Sequence, residues 1–245
     1  MNEWALPKNV ETQSIERVGG GGFAWESGVY AATVKMVYLN QAASEARSFN
    51  IILENSEGKE LRETFWVRSG KAKGNKVYYE KNGKQFPLPG YSLANSLCVA
   101  AVGESLAKCI ESAEKKTINI WNSELKKETP TERPVVMKLI NKPVKVAVHQ
   151  VIEDRMSKDS NGLYVSTGES RTVNNCKFFG NEAGKTAEEI TKGAESTMFD
   201  KWAARNTGTI VDKSSKTKTT SAANIMGTPD TAKNNSNDKQ GSLFS

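Results

Sequence analysis

From Val29 onward the chain alternates between two sides. Tyr30, Ala32, Val34, Met36 and Tyr38 fall on one face and Ala31, Thr33, Lys35 and Val37 on the other, the period-two pattern of a β-strand. Residues 48–54 predict a short buried strand, Asn55-Ser56-Glu57-Gly58 a turn, and residues 60–67 a returning strand. In the last of these, Leu61, Glu63, Phe65 and Val67 alternate against Arg62, Thr64 and Trp66. The three strands predict a meander. Lys81-Asn82-Gly83-Lys84 then separates residues 77–80 from Phe86, and Asn-Gly between strand-like residues is a strong hairpin signal.

Residues 93–111 carry Leu93, Leu97, Ala101, Leu106 and Ile110 at helical spacing, with a break expected near Gly103. Strand texture returns at 117–121, followed by a loop over 130–134. Residues 135–140 and 144–153 predict a second pair around the turn Asn141-Lys142-Pro143. After Asp159-Ser160-Asn161-Gly162 come two further strands, 163–166 and 171–179. Thr186-Ala187-Glu188-Glu189 has the form of a capping box, and Ile190, Ala194, Met198 and Trp202 follow at helical spacing. Two groups of strands around a central helix predict a mainly β fold: an OB-type Greek-key barrel with insertions and a few helices. The expected division is an N-terminal arm and Gly-rich hinge over 1–24, the OB-type nucleic-acid-binding domain over 25–210, and a flexible tail over 211–245. The tail is rich in Lys, Ser, Thr and Asn; it cannot bury enough apolar surface to offset its ordering entropy, so disorder is expected there.

Composition narrows the chemistry. The 245 residues are 37% hydrophobic, with a mean hydropathy of -0.55, and no stretch approaches the ~18 apolar residues of a membrane span. The first residues carry neither the basic run nor the apolar core of a secretory signal, so a cytoplasmic location without a membrane partner is expected. Cys98, Cys109 and Cys176 lack CxxC spacing and fit reduced, buried thiols better than a disulfide framework or a metal site. His149, the single histidine, lies in the strand-like run 144–150 and reads as structural, which removes most routes to His-dependent nucleophilic catalysis. Glycines 19–22 belong to no GxxxxGKS/T or GxGxxG motif. Glu128, Glu132, Glu153 and Asp154 form no recognisable metal-binding set of the kind a two-metal nuclease needs. The expectation is a protein that is not an enzyme and uses no cofactor.

Charge points elsewhere. Lys and Arg number 34 against 28 Asp and Glu, a formal +6 that permits a polyanion partner. The densest signal runs from Phe65 and Trp66 through Arg68, Lys71, Lys73, Lys76, Tyr78, Tyr79, Lys81 and Lys84 to Phe86, spread over strands and a mobile loop. Planar rings for exposed bases and cations for phosphates are what single-stranded nucleic acid needs. Adjacent Tyr78 and Tyr79 predict opposite strand faces, so at least one of them is expected in the core. A second candidate cluster holds Trp121, Lys126 and Lys127, with Arg171, Lys177, Phe178 and Phe179. The tail from Lys213 carries five lysines against two aspartates.

The order GVYAATVKMVYL, FNIILE, TFWVRSGKAKGNKVYY, FPLPGYSLANSL, KTINIW, KKETPTERPVV and LINKPVKVAV, spanning roughly residues 25–205, resembles bacteriophage single-stranded DNA-binding proteins with an OB fold. That resemblance implies sequence-tolerant coating of single-stranded DNA in phage replication and recombination, in the host cytoplasm. The matching positions are Trp66, Arg68, Lys71, Lys73, Tyr78 and Tyr79. Many proteins of that kind end in an acidic tail whose hydrophobic tip docks replication or transcription proteins. Leu243-Phe244 resembles the tip, but the tail before it is basic. A competing expectation is a phage transcription or recombination interaction module acting through that tail.

Overall fold

The computed structural model describes residues 24–122, 125–160 and 162–215. Residues 1–23 with the Gly-rich hinge, and the tail from residue 216 with its Leu243-Phe244 tip, lie outside the described residues, whereas the expected start of the tail, 211–212, belongs to a short strand. The fold is mainly β, built on an antiparallel sheet of eight strands.

The expected meander is present as β1 (Gly28–Gln41), β2 (Arg47–Asn55) and β3 (Glu60–Arg68). β4 (Tyr78–Lys81) and β5 (Lys84–Pro87) pair separately around Asn82 and Gly83, whose φ angles of 54° and 72° are the two positive values a type I′ turn requires. Helix α1 (Pro89–Val102) ends at Gly103, at φ 70°, and Ser105 caps the short α2 (Leu106–Glu111) by accepting the Lys108 N–H. β6 (Ala113–Asn122) and β7 (Lys127–Val136) form a long arm, followed by β8 (Pro143–Lys158) and β9 (Tyr164–Gly180). Helices α3 (Ala187–Lys192) and α4 (Met198–Asn206) and the short β10 (Ile210–Asp212) complete the order. The main path is β10–β8–β1–β2–β3; β7 joins β1 and β6, and β9 joins β8. Among the described residues no ladder closes this sheet into a ring.

The core draws Val34 and Val37 from β1, Phe49, Ile51 and Leu53 from β2, and Leu61 and Phe65 from β3. Ala94, Leu97 and Cys98 of α1 pack into it, with Val144, Val146 and Val148 of β8 and Cys176 and Phe179 of β9. All three cysteines are free and buried, as their spacing implied. Such burial removes a Leu or Phe side chain from water at about 1.5–3 kcal/mol each.

The chain divides into two compact units. The larger runs to Ile152 and resumes over Thr172–Val211; the smaller holds Glu153–Arg171 and residues from Asp212. Within the smaller unit Arg155 pairs with Glu169 at 3.1 Å and Arg171 with Glu153 at 2.7 Å. The Asp154 carboxylate there accepts the Ser215 N–H and hydroxyl.

Several local expectations are corrected. The face assignment in β1 switches at a bulge between Val34 and Met36, so Val37 is buried while Met36 and Tyr38 take the other face. Residues 130–134 form strand, not loop: Pro130 pairs with Asn119 and Pro134 with Lys115. β7 has β6 along one side but pairs with β1 only at Val135, so most of its other edge has no ladder bonds for the proline nitrogens to miss. The expected strand 135–140 stops at Val136, and Met137–Leu139 is a 3-10 turn. The strands at 163–166 and 171–179 are one continuous β9. Thr186 opens a helix with a complete capping box, but Gly193 (φ 62°) stops it, and Met198 and Trp202 belong to α4.

Candidate nucleic-acid interface

β1, β2 and β3 pair in register, so three rungs cross the face opposite the core. Asn40, Ser48 and Trp66 form one, Tyr38, Asn50 and Thr64 the next, and Met36, Ile52 and Arg62 the third. The middle rung continues to Val135 on β7. Strand alternation dictates this, since Phe65 and Val67 are buried on one side and Trp66 is left on the other, partly exposed.

The floor between Tyr38 and Trp66 is polar, with Ser48 and Asn50 buried and Thr64 exposed at its edge. Asn50 Nδ2 donates to Ser48 Oγ (3.0 Å) and to the Tyr38 carbonyl (3.3 Å), and the Thr64 hydroxyl donates to Asn50 Oδ1 (2.9 Å). These groups satisfy one another, so they fix the face without reaching outward. Two arginines border it. Burial raises the Tyr38 phenol, and the positive fields of Arg62 and Arg133 pull it back down. Arg62 is held by Glu60 at 3.1 Å and reaches Glu128 on β7 at 3.5 Å.

Behind this face, Gly90 at the start of α1 sits against the Trp66 backbone so closely that a Cβ there would overlap the Trp66 nitrogen, carbonyl carbon and oxygen. The first turn of α1 thereby abuts the β3 backbone at Trp66. On the core side, Glu63 accepts the Cys176 N–H at 2.7 Å, tying β3 to β9. Burial pushes the Glu63 carboxyl up to about 7, against the downward pull of Cys176 and Lys177.

The segment after β3 is bonded to the β1–β2 loop. Lys71–Lys73 is a 3-10 turn whose Lys71 N–H donates to the Ser44 carbonyl in the β1–β2 loop. Asn75 donates to Glu45 at 3.1 Å, and Ser69 and Lys76 pair through their backbones. Lys71 and Lys73 are exposed. Lys76 binds Glu80 (3.2 Å) and sits 5.3 Å from the Tyr78 ring centre, while Tyr79 stacks on its cross-strand partner Phe86 at 5.7 Å. Both tyrosines are partly buried and neither enters the core, contrary to the expectation for at least one. Lys81 is exposed at the end of β4, opposite Lys84.

The residues of the second cluster are divided between the two units. Trp121 is 59% exposed on β6, opposite Glu128. Phe179 is core, Phe178 packs on Phe199 and Trp202, and Lys177 is exposed beside Cys176. Arg171 lies in the smaller unit and gives its guanidinium to Glu153. His149 rests against Trp202 with ring centres 4.9 Å apart, a packing role.

Sequence reasoning missed Tyr38, Arg62 and Arg133. Each stands in an ordinary strand context, and only pairing brings them to one face. A cavity of about 460 Å³ elsewhere in the larger unit is walled by Trp25, Tyr30, Glu26, Glu57 and Lys59. Its two carboxylates make it unsuited to phosphate. Compared with family models and with curated proteins, the chain matches none.

Proposed function

We propose that this protein binds single-stranded DNA with little sequence preference, by stacking bases on its sheet face and neutralising phosphates with the cations around it. The observation that carries the reading is the face of β1–β3. Trp66 and Tyr38 flank a polar floor whose hydrogen bonds are internally spent, with Arg62 and Arg133 beside Tyr38. Stacking needs only a ring and a base of any kind, whereas reading sequence needs outward-facing donors and acceptors. This floor offers few. The lysines of the latched turn and of the β4–β5 hairpin supply further positive charge immediately after β3 in the chain. Phage replication and recombination are the setting that the sequence resemblance suggests.

Titration of intrinsic tryptophan fluorescence with dT oligonucleotides and with duplex of equal length tests the reading. Single strands should quench and bind more tightly, and affinity should fall with salt. Equal affinity for duplex would overturn it.

A further inference from the structure

Arg47 and Arg68 are register partners at the end of the β2–β3 ladder, beside a bulge between Arg47 and Ser48. Cross-strand partners have Cβ atoms about 4.5–5.5 Å apart, and like charges placed there repel. Elsewhere in this sheet the fold answers charge with charge: Lys35 meets Glu54 and Glu60, and Arg62 meets Glu60 and Glu128. Among the described residues, neither Arg47 nor Arg68 has an ion pair. Arg68 is only partly exposed, and its Nε is shut off from solvent without a hydrogen-bond acceptor. An N–H donor buried in that way forfeits its solvation. Glu45, the nearest acid along the chain, is engaged by the Asn75 amide. The same corner receives the basic turn, because the Lys71 N–H is bonded to Ser44 in the β1–β2 loop.

We propose that Arg47 and Arg68 form a phosphate-binding subsite, the guanidinium pair enclosing the oxygens of a phosphodiester or a free phosphoryl group. Guanidinium forks match phosphate oxygens, and an anion between them turns repulsion into attraction. Arg68 lies two residues beyond Trp66 on β3, so a backbone phosphate held here adjoins a base stacked on the sheet face. For a DNA phosphate the assignment rests on the proposed function; for a free phosphate it does not.

The test uses the full chain and the variants Arg47→Gln and Arg68→Gln, with Arg68→Lys retaining charge without the fork. Thermal melting is followed as inorganic phosphate replaces chloride at constant ionic strength, and dT oligonucleotide affinity is measured across salt. Phosphate should raise the melting temperature of the parent chain and have little effect on either Gln variant. Each Gln variant should lose roughly 5–10-fold in dT affinity at low salt and lower the salt slope by about 0.7, one phosphate contact on a single strand. Arg68→Lys should fall between parent and Gln. An equal phosphate response in parent and variants overturns the subsite, as does a loss of dT affinity with an unchanged slope. If phosphate stabilises only the parent while no form binds dT, the subsite stands for a free phosphoryl ligand and the single-strand reading fails.

Discussion

Two regions of this protein combine rings with cations, and they do so in opposite ways. On the face of β1–β3 the rings come from different strands, Tyr38 and Trp66, and are fixed by rungs over a polar floor. In the Lys71–Pro87 stretch the rings are close in sequence, but Tyr79 spends a face on Phe86 and Tyr78 lies under Lys76. In the first region strand pairing across the sheet sets the two rings on one face; in the second the rings pack on hairpin neighbours and mainly ammonium groups are left outside. Density along the sequence therefore measures charge well and stacking surface poorly. The sheet face should carry ring-dependent affinity and the hairpin salt-dependent affinity.

The largest expected effect concerns β3 itself, on which both regions depend. Glu63 sits on its core side with a carboxyl that burial holds at about 7 instead of 4.5. The folded state keeps a proton that the unfolded chain releases, so this contribution is complete below about pH 4.5 and lost as pH rises to about 7. The loss amounts to about 3 kcal/mol, flat at higher pH. Glu63→Gln should remove most of that slope in denaturant titrations between pH 5 and 8. An unchanged slope would mean that burial does not raise the Glu63 carboxyl. Glu189 behaves in the opposite sense. Burial raises its pKa, but N–H donors from Thr186, Thr197 and Met198 outweigh that and hold it at about 2. Its contribution is present above about 4.5 and disappears as pH falls toward 2.

Next in size is the close approach behind Trp66. Gly90→Ala puts a Cβ into the Trp66 backbone and should cost roughly 1–3 kcal/mol of stability, as overpacking does. It should also weaken DNA binding without removing any ring. Normal affinity in a destabilised Gly90→Ala protein would show that the position of the Trp66 backbone does not matter to the face.

The rings themselves come third. Trp66→Ala and Tyr38→Ala should each weaken dT binding by roughly 1–3 kcal/mol, and Tyr79→Ala by less than about 1 kcal/mol because its stacking partner is internal. Equal losses at Trp66 and Tyr79 would erase the contrast between the regions.

How much of this could be read beforehand follows from which forces are local. The meander, the Asn82-Gly83 hairpin, the break at Gly103 and the Thr186 cap rest on neighbours within a few residues, and all were legible. The strand through Pro130 and Pro134 was not, because tolerance of proline depends on which edge of β7 lacks a neighbour. Of the proposed site, the sequence alone names the β3 residues and the lysines. Tyr38, Arg62 and Arg133 converge only through strand pairing across nearly a hundred residues, and the latch between Lys71 and Ser44 is a backbone bond with no sequence signature.

The smallest expected effect is the most diagnostic of the hairpin side. Lys71 and Lys73 are exposed, and their turn is held by backbone bonds, so replacing both side chains with Gln should leave the fold intact. If each touches one phosphate, the slope of log affinity against log salt should become shallower by about 1.4 in the double variant. At high salt its affinity should converge on that of the parent, because stacking on the sheet face is untouched. Trp66→Ala should do the reverse, lowering affinity by a similar factor at every salt concentration while keeping the slope. The two variants together separate charge from stacking within one titration series. Convergence at high salt for Trp66→Ala, or a constant deficit for the lysine pair, would mean that the two regions exchange the roles given them here.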